Sequence, residues 1–482
     1  MDGKSKTFAI LAYIYILIPI IIFLIGWCNP FIAIIGTLIC VISLYLAIKN
    51  APELWFPNSK KGYFFIFGLF IISLVWVYFS GIGALVFQNL DHNCRNPIFE
   101  LLINNSWPVI VDGKTYLNTS QPLMLTYYIA FWLPSACIGK LFNSIQIGYY
   151  AQILWATFGV FFIFYYILSF LKKKNYIPIL IFIFFSGLDF LGCEITHRDN
   201  LSNWISHIEW WFPSVQFSSF TTQLFWVFNQ AIPAWIITLV LLQEKNNKNI
   251  MFLYACMFLH STLPAIGIFP IIAYLMYRNS KNLDRNLTTL KHIKESIKSA
   301  CTFQNIICSI IILFTSYLYL SGNLSGEKTS FWSPSYQIIV LYIITFLMLE
   351  VGIYLLLVLK YNKKEPLFYI ITLIFIFYPF IKIGNSADFC MRATIPALTI
   401  LYLMVVKVLD SEFKKDTLLK IGLIITLLIG AINPIHEFAR TIYYTSLGYT
   451  KIKSQLKGTN FFSYVDGNRF IKYVGKVSKN NE

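Results

Sequence analysis

The chain returns repeatedly to apolar runs of about 18–25 residues, and no other feature limits its fold as strongly. At 1.5 Å of helical rise per residue, such a run crosses the roughly 30 Å hydrocarbon core of a bilayer. In that core every backbone polar group must be satisfied within the segment or by its neighbours. Phe8–Trp27, Phe31–Ile48, Tyr63–Phe87, Ile147–Leu171 and Tyr176–Gly192 read as such helices. So do Trp226–Gln243, Asn305–Ser321, Tyr336–Leu359, Pro366–Ile383, Ala393–Val408 and Leu418–Asn433. With 57% hydrophobic and 12% charged residues, the composition excludes an ordinary soluble domain. The expected class is an all-α, polytopic integral membrane protein with about 12–14 transmembrane helices.

The net charge of +16 does not point to nucleic acid, because Lys and Arg sit mostly in short loops between apolar runs. That distribution orients helices by the positive-inside rule and attracts anionic membrane lipids. Lys49, Lys60 and Lys61 put the N-terminus on the cytoplasmic side. The first apolar run carries no small-x-small cleavage site and reads as a retained helix. Nine Cys show no Cys-x-x-Cys or Cys/His metal spacing.

Alternation then yields one transmembrane domain over residues 1–435, with outer loops at 89–122 and 193–225 and a polar, basic outer tail at 436–482. One stretch resists it. If Leu123–Asn143 and Ile147–Leu171 both crossed, Lys172, Lys173 and Lys174 would lie outside; Pro134 points to a first run that is short, bent or partly inserted. Ile250–Tyr277 is interrupted at His260-Ser261-Thr262-Leu263-Pro264, which reads as two short helices around a break.

The polar residues of the outer loops are the candidate chemistry. In the first loop these are Asp91, His92, Arg95, Glu100, Asp112 and Lys114. Asp91 follows a helix end, where a carboxylate serves as general base or metal ligand; the competing reading is a hydrated loop group. The second set is His207, Glu209, Trp210 and Trp211, with Asn229 and Gln230 beyond it. Aromatic rings beside polar groups suit sugar stacking or an interfacial belt. The third is Asp388 and Arg392, four apart, which form either a plain ion pair or a fork for phosphate oxygens. Glu350 interrupts an apolar helix, where an ionisable group is costly and marks function by default. Asp189 and His260 are lesser candidates.

Over residues 63–192 the order of these features resembles the GT-C superfamily of polyprenol-phosphate-sugar-dependent glycosyltransferases, as in protein mannosyltransferases and aminoarabinose transferases. Asp91 takes the place of the acidic residue early in a large first outer loop. Gln121-Pro122-Leu123-Met124-Leu125-Thr126-Tyr127-Tyr128 resembles the proline-led start of the next helix, and Gly139-Lys140-Leu141-Phe142 its end. Ile147–Lys174 is similar to the long helix with a basic terminus. The paired acidic signature is missing, since His92 follows Asp91, and a short tail stands where a soluble domain is common.

The resemblance implies transfer of a sugar from a polyprenyl-phosphate donor to a glycan or lipid acceptor at the outer face of a bacterial cytoplasmic membrane. Asp91 and His92, with His207 and Glu209, are then the catalytic candidates. Arg392, Arg95 and Lys114 hold the donor phosphate, and Asn229, Gln230, Asp388, Glu350 and Trp211 contact substrate. A divalent metal is compatible with the family pattern, and no other cofactor is implied. Two further readings stand beside it: a polysaccharide polymerase or ligase resting on His207 and Arg198, and a flippase or transporter of lipid-linked intermediates resting on Glu350.

Overall fold

The computed structural model describes residues 3–111, 122–197, 207–212, 215–283, 288–323, 329–331, 335, 338–339, 343–383, 387–411, 416–450 and 474–476. The first half holds helices α1 (Thr7–Trp27), α2 (Pro30–Asn50), α3 (Lys60–Phe79), α4 (His92–Asn104), α5 (Leu133–Leu141) and α6 (Ile145–Leu171). Next come α7 (Ile177–Phe184), α8 (Asp189–Ile195), α9 (Phe220–Gln243), α10 (Ile250–His260), α11 (Thr262–Leu283) and α12 (Thr289–Ala300). The remainder is α13 (Gln304–Ser321), α14 (Ile344–Asn362), α15 (Pro366–Phe377), α16 (Asp388–Ala393), α17 (Ile395–Asp410), α18 (Thr417–Gly430) and α19 (Ile432–Ser446).

Among the described residues nine helical runs are long and apolar enough to cross a membrane, and Ile250–His260 and Pro366–Phe380 are shorter apolar helices. The protein is an all-α polytopic membrane protein. The number from the sequence is larger because several runs break into pieces: the run 250–277 divides at Ser261 into α10 and α11, as expected.

The difficulty over the triple lysine resolves in the segment before α6. Residues 123–141 hold a strand, a 3-10 turn and the nine-residue α5. A helix that short spans only about 13 Å and does not cross the hydrocarbon core. The 27-residue α6 then makes the full crossing from Ile145 to Leu171. It delivers Lys172, Lys173 and Lys174 to the end that holds Lys4 and Lys245.

Short strands close both ends. At the lysine-rich end β1 (Gly3–Ser5) pairs antiparallel with β2 (Leu54–Phe56). At the other end β3 (Ile110–Val111) and β4 (Leu123–Leu125) are joined antiparallel by β7 (Val474–Lys476), so the far tail roofs the first loop. There too β5 (Thr329–Phe331) pairs with β6 (Ile381–Ile383). Helix α12 marks the lysine-side surface. It buries His292, Ser296 and Ala300, turns Leu290, Ile293 and Ile297 outward, and exposes Lys291, Lys294 and Lys298 beside them.

The apolar window of α9 is 100% buried. It is not one straight rod. Val227 has non-helical torsions (φ −132°, ψ 33°), and Trp235 Nε1 donates to Gln223 Oε1 at 2.9 Å. The rings of Phe220 and Trp235 are 5.7 Å apart, whereas fifteen residues of straight helix would separate them by about 22 Å. The chain therefore reverses at Val227. Residues 215–226, of which 215–225 were expected in an outer loop, run back into the bundle and meet α7 and α17 through Phe182 and Tyr402. Non-helical backbone at this depth is tolerated only where protein covers it.

Candidate functional site

The reversal in α9 frees the carbonyl of Phe225, and the first loop satisfies it. Asn89 Nδ2 donates to that oxygen at 2.6 Å, and His92 Nε2 lies 3.3 Å from it. Gln88 Nε2 is 3.1 Å from His92 Nδ1, which assigns the neutral ring with its proton on Nε2. His92 stacks on Phe228, with centroids 5.6 Å apart. Burial first, then the charge of Arg95, pushes its pKa down to about 4. His92 thus anchors the loop to α9 and does not face Asp91 as a catalytic partner.

Anchoring α4 sets Asp91 and Arg95 one turn apart, with Arg95 Nη1 2.8 Å from Asp91 Oδ2. The Arg95 side chain is 6% exposed and that of Asp91 41%, so the carboxylate faces outward and the guanidinium inward. Arg95 Nε donates to Asn229 Oδ1 at 3.4 Å, and Asn229 Nδ2 to the Tyr128 carbonyl at 3.5 Å. Helix α16 repeats the motif: Arg392 Nη1 is 3.0 Å from Asp388 Oδ2, with exposures of 12% and 43%.

The two pairs lie within one another's electrostatic field. Burial pulls the Arg392 guanidinium down, but Asp388, Tyr127, Asp91 and Tyr128 outweigh it and hold it above the ordinary value. Arg95 is likewise lowered by burial and raised further by Asp91 and Tyr127, against the repulsion of Arg392. Tyr127 feels the charges of both pairs, its pKa raised by burial and eased down by both arginines. The Tyr319 hydroxyl fixes that segment, accepting from the Tyr127 amide at 3.2 Å and donating to the Leu125 carbonyl at 3.0 Å. Arg392 Nε–H has no partner among the described residues.

A divalent cation does not fit this arrangement. Each carboxylate is neutralised by its own arginine, and two guanidinium groups close by repel a dication. Among the described residues no His, Cys, Asp and Glu groups come together in a metal-holding set.

The second expected set forms a separate buried network. Glu209 accepts from Gln216 Nε2 at 2.8 Å, the Ser219 amide at 2.9 Å and Asn433 Nδ2 at 2.7 Å. With both oxygens occupied and 1% exposure, it holds the returning segment in place and is poorly disposed to act as a free base. Asp189 joins the network through Ser186 Oγ at 2.8 Å and Asn433 at 3.3 Å. Glu350, on a π-helical turn of α14, accepts from Trp211 Nε1 at 3.0 Å and faces Gly187. It points into protein, away from lipid. Gln230 Oε1 accepts from Ser261 Oγ at 2.7 Å across the α10–α11 break, and His260 Nε2 lies 3.4 Å from the Ile16 carbonyl.

His207 lies 3.9 Å from Glu209 and stacks on Trp226, with centroids 4.6 Å apart. Trp226 Nε1 donates to Glu437 Oε2 at 3.0 Å, Arg440 pairs with the same carboxylate, and its guanidinium sits 5.3 Å from the Trp226 ring centre. His436, Glu437 and Arg440 were missed in the sequence because 436–482 reads as a tail, and Asn433 because it reads as the end of the apolar span Leu418–Asn433. Instead α19 continues to Ser446, and spacings of three, one and three put these four residues on one buried face. Glu100 accepts from the Tyr149 hydroxyl at 2.9 Å, away from Asp91. Asp112, Lys114 and Arg198 lie outside the described residues.

What the geometry offers is two largely buried guanidinium groups behind two outward carboxylates, one pair on the first loop against α9 and one on α16, each within the other's electrostatic field. Compared with known protein families, curated proteins and solved structures, the chain matches none.

Proposed function

We propose that the protein transfers a sugar from a polyprenyl-phosphate donor to a hydroxyl of a glycan or lipid acceptor, at the end of the bundle that carries Asp91. The observation behind this reading is that the Asp91–Arg95 and Asp388–Arg392 pairs lie within one another's electrostatic field, with Tyr127 in the field of both. Arg392, with an unfilled N–H, and Arg95 bind the donor phosphate, Arg being the side chain whose planar fork matches phosphate oxygens. Asp91 takes the proton of the acceptor hydroxyl as its oxygen bonds to the anomeric carbon. The bond from that carbon to the phosphate oxygen breaks, and its electron pair leaves on the phosphate, stabilised by the two arginines. Tyr127 and Tyr128 supply ring faces for the sugar.

The test is turnover of a synthetic lipid-phosphate sugar by purified protein in nanodiscs. Asp91→Asn is expected to lower the rate by about 100-fold or more while elution and helix content stay unchanged. Full activity in that variant removes Asp91 from the reaction. A transporter of lipid-linked intermediates is the second reading. It is favoured by the returning segment before Val227 and the buried carboxylates around it. Movement of intact lipid-linked sugar across the bilayer, with no product formed, would establish it in place of transfer.

A further inference from the structure

A cavity of about 840 Å³ opens at the lysine-rich end, away from the Asp–Arg pairs. Its walls are the β1–β2 pair and the C-terminal ends of α6 and α9. Lys4, Lys172, Lys173, Lys174 and Lys245 line it, with Glu53 the one acid among its lining residues. Leu54, Trp55, Leu168 and Phe170 form an apolar side. Lys173 pairs with Asp410, and Lys174 lies 5.7 Å from the Trp55 ring centre. Lys407 adds a cation 4.4 Å from the Phe170 ring.

The charge balance argues for a ligand. Lys4, Lys172 and Lys245, which have no ion-pair partner among the described residues, set against Glu53 leave two positive charges. The C-termini of α6 and α9 each present about half a negative charge, which offsets about one of them. About one positive charge, with Lys407 beside it, stays uncompensated around a concave space. The positive-inside rule accounts for lysines at this end but not for their arrangement around a cavity. The volume falls in the roughly 300–1,000 Å³ range of small-molecule sites. A cationic rim beside an apolar wall fits an amphiphile whose anionic head sits among the lysines.

We infer that this cavity binds a net-anionic, phosphate-bearing head group, with the adjoining chain of a lipid against Leu54, Trp55, Leu168 and Phe170. The site is independent of the proposed transfer reaction and would persist if that reading failed.

The experiment uses the full-length protein, delipidated and offered phosphatidylglycerol or phosphatidylcholine, with bound lipid counted by native mass spectrometry and inorganic pyrophosphate added as competitor. Lys4, Lys172 and Lys245 have no ion-pair partner among the described residues, so K4Q/K172Q/K245Q removes charge without orphaning an acid. It is expected to weaken saturable phosphatidylglycerol binding by about tenfold or more, while K4R/K172R/K245R retains it. K60Q/K61Q/K291Q, which removes as much charge from exposed positions at the same end, is expected to change binding by less than about twofold. Competition by pyrophosphate would show that the phosphate group suffices; retained lipid that pyrophosphate cannot displace would show that the chain contributes. Equal weakening by both glutamine triples, or phosphatidylcholine binding as tightly as phosphatidylglycerol, overturns the inference.

Discussion

The side-chain amide of Asn433 donates to the Glu209 carboxylate at 2.7 Å, joining residues 224 positions apart. The same amide reaches Ser186 at 3.1 Å and Asp189 at 3.3 Å, so one residue of α19 ties down both the returning segment and the start of α8. Asn433→Ala leaves Glu209 with two donors, and a buried acceptor short of a partner costs about 1–3 kcal/mol. Asn433→Asp is expected to be worse, since it faces two carboxyl groups with a third. Thermal unfolding in detergent reads both variants; an unchanged midpoint for the alanine variant would show that the bond carries no weight.

His92 gives the protein an acid limb. Its folded pKa of about 4 lies below the ordinary value of 6.5, so the unfolded chain binds the extra proton first as pH falls. Stability is therefore full above pH 6.5 and declines down to about pH 4. The pKa difference corresponds to roughly 3 kcal/mol in all. His92→Gln should flatten that limb in a series of unfolding midpoints against pH. A limb of unchanged depth assigns it to other groups.

Gly267 is the tightest contact beneath the second Asp–Arg pair. A β-carbon added there would overlap the Ala393 carbonyl oxygen and lie 2.6 Å from its carbon. Both obstacles are backbone, so α16 must move, and Arg392 is the residue just before. Gly267→Ala is expected to destabilise by about 1–3 kcal/mol and to reduce turnover beyond what the folded fraction explains. Activity per folded molecule equal to wild type would show that α16 tolerates the shift.

Arg392→Lys keeps a cation but loses the planar fork. If Arg392 holds the donor phosphate, the variant should raise KM for the lipid-phosphate sugar by about tenfold, with a smaller change in kcat. An unchanged KM would confine Arg392 to its ion pair with Asp388.

Much of this was legible because membrane burial writes itself into composition. The runs that became α1, α2, α3 and α6 are apolar on nearly every face, and Pro134 with the following lysines left the run before α6 open as short, bent or partly inserted, of which the structure shows the short form. The Asp91–Arg95 and Asp388–Arg392 pairs could be seen as local spacings of four. What stayed hidden depends on distant contacts. Nothing local says that Glu209 meets Asn433, or that residues 215–226 turn inward at Val227. The polar face of α19 was readable in principle from Asn433, His436, Glu437 and Arg440. Exposed Ile435, Ile442 and Tyr443 among them blurred the line between a span and a tail.

The complete burial of α9 also dictates an order of events during synthesis. Its neighbours include α1 and α6, made before it, and α10, α17 and α19, made after it. Gln223, Asn229 and Gln230, each 0% exposed in the finished fold, therefore leave the insertion machinery before the helices that complete their cover exist. Until α19 arrives, Trp226 lacks Glu437 and Glu209 lacks Asn433. A nascent chain stopped short of residue 432 leaves Trp226 and Glu209 without those partners, and polar groups short of partners are costly within a bilayer. The last described helix thus completes the cover: a chain translated through it gives Trp226 and Glu209 their remaining partners.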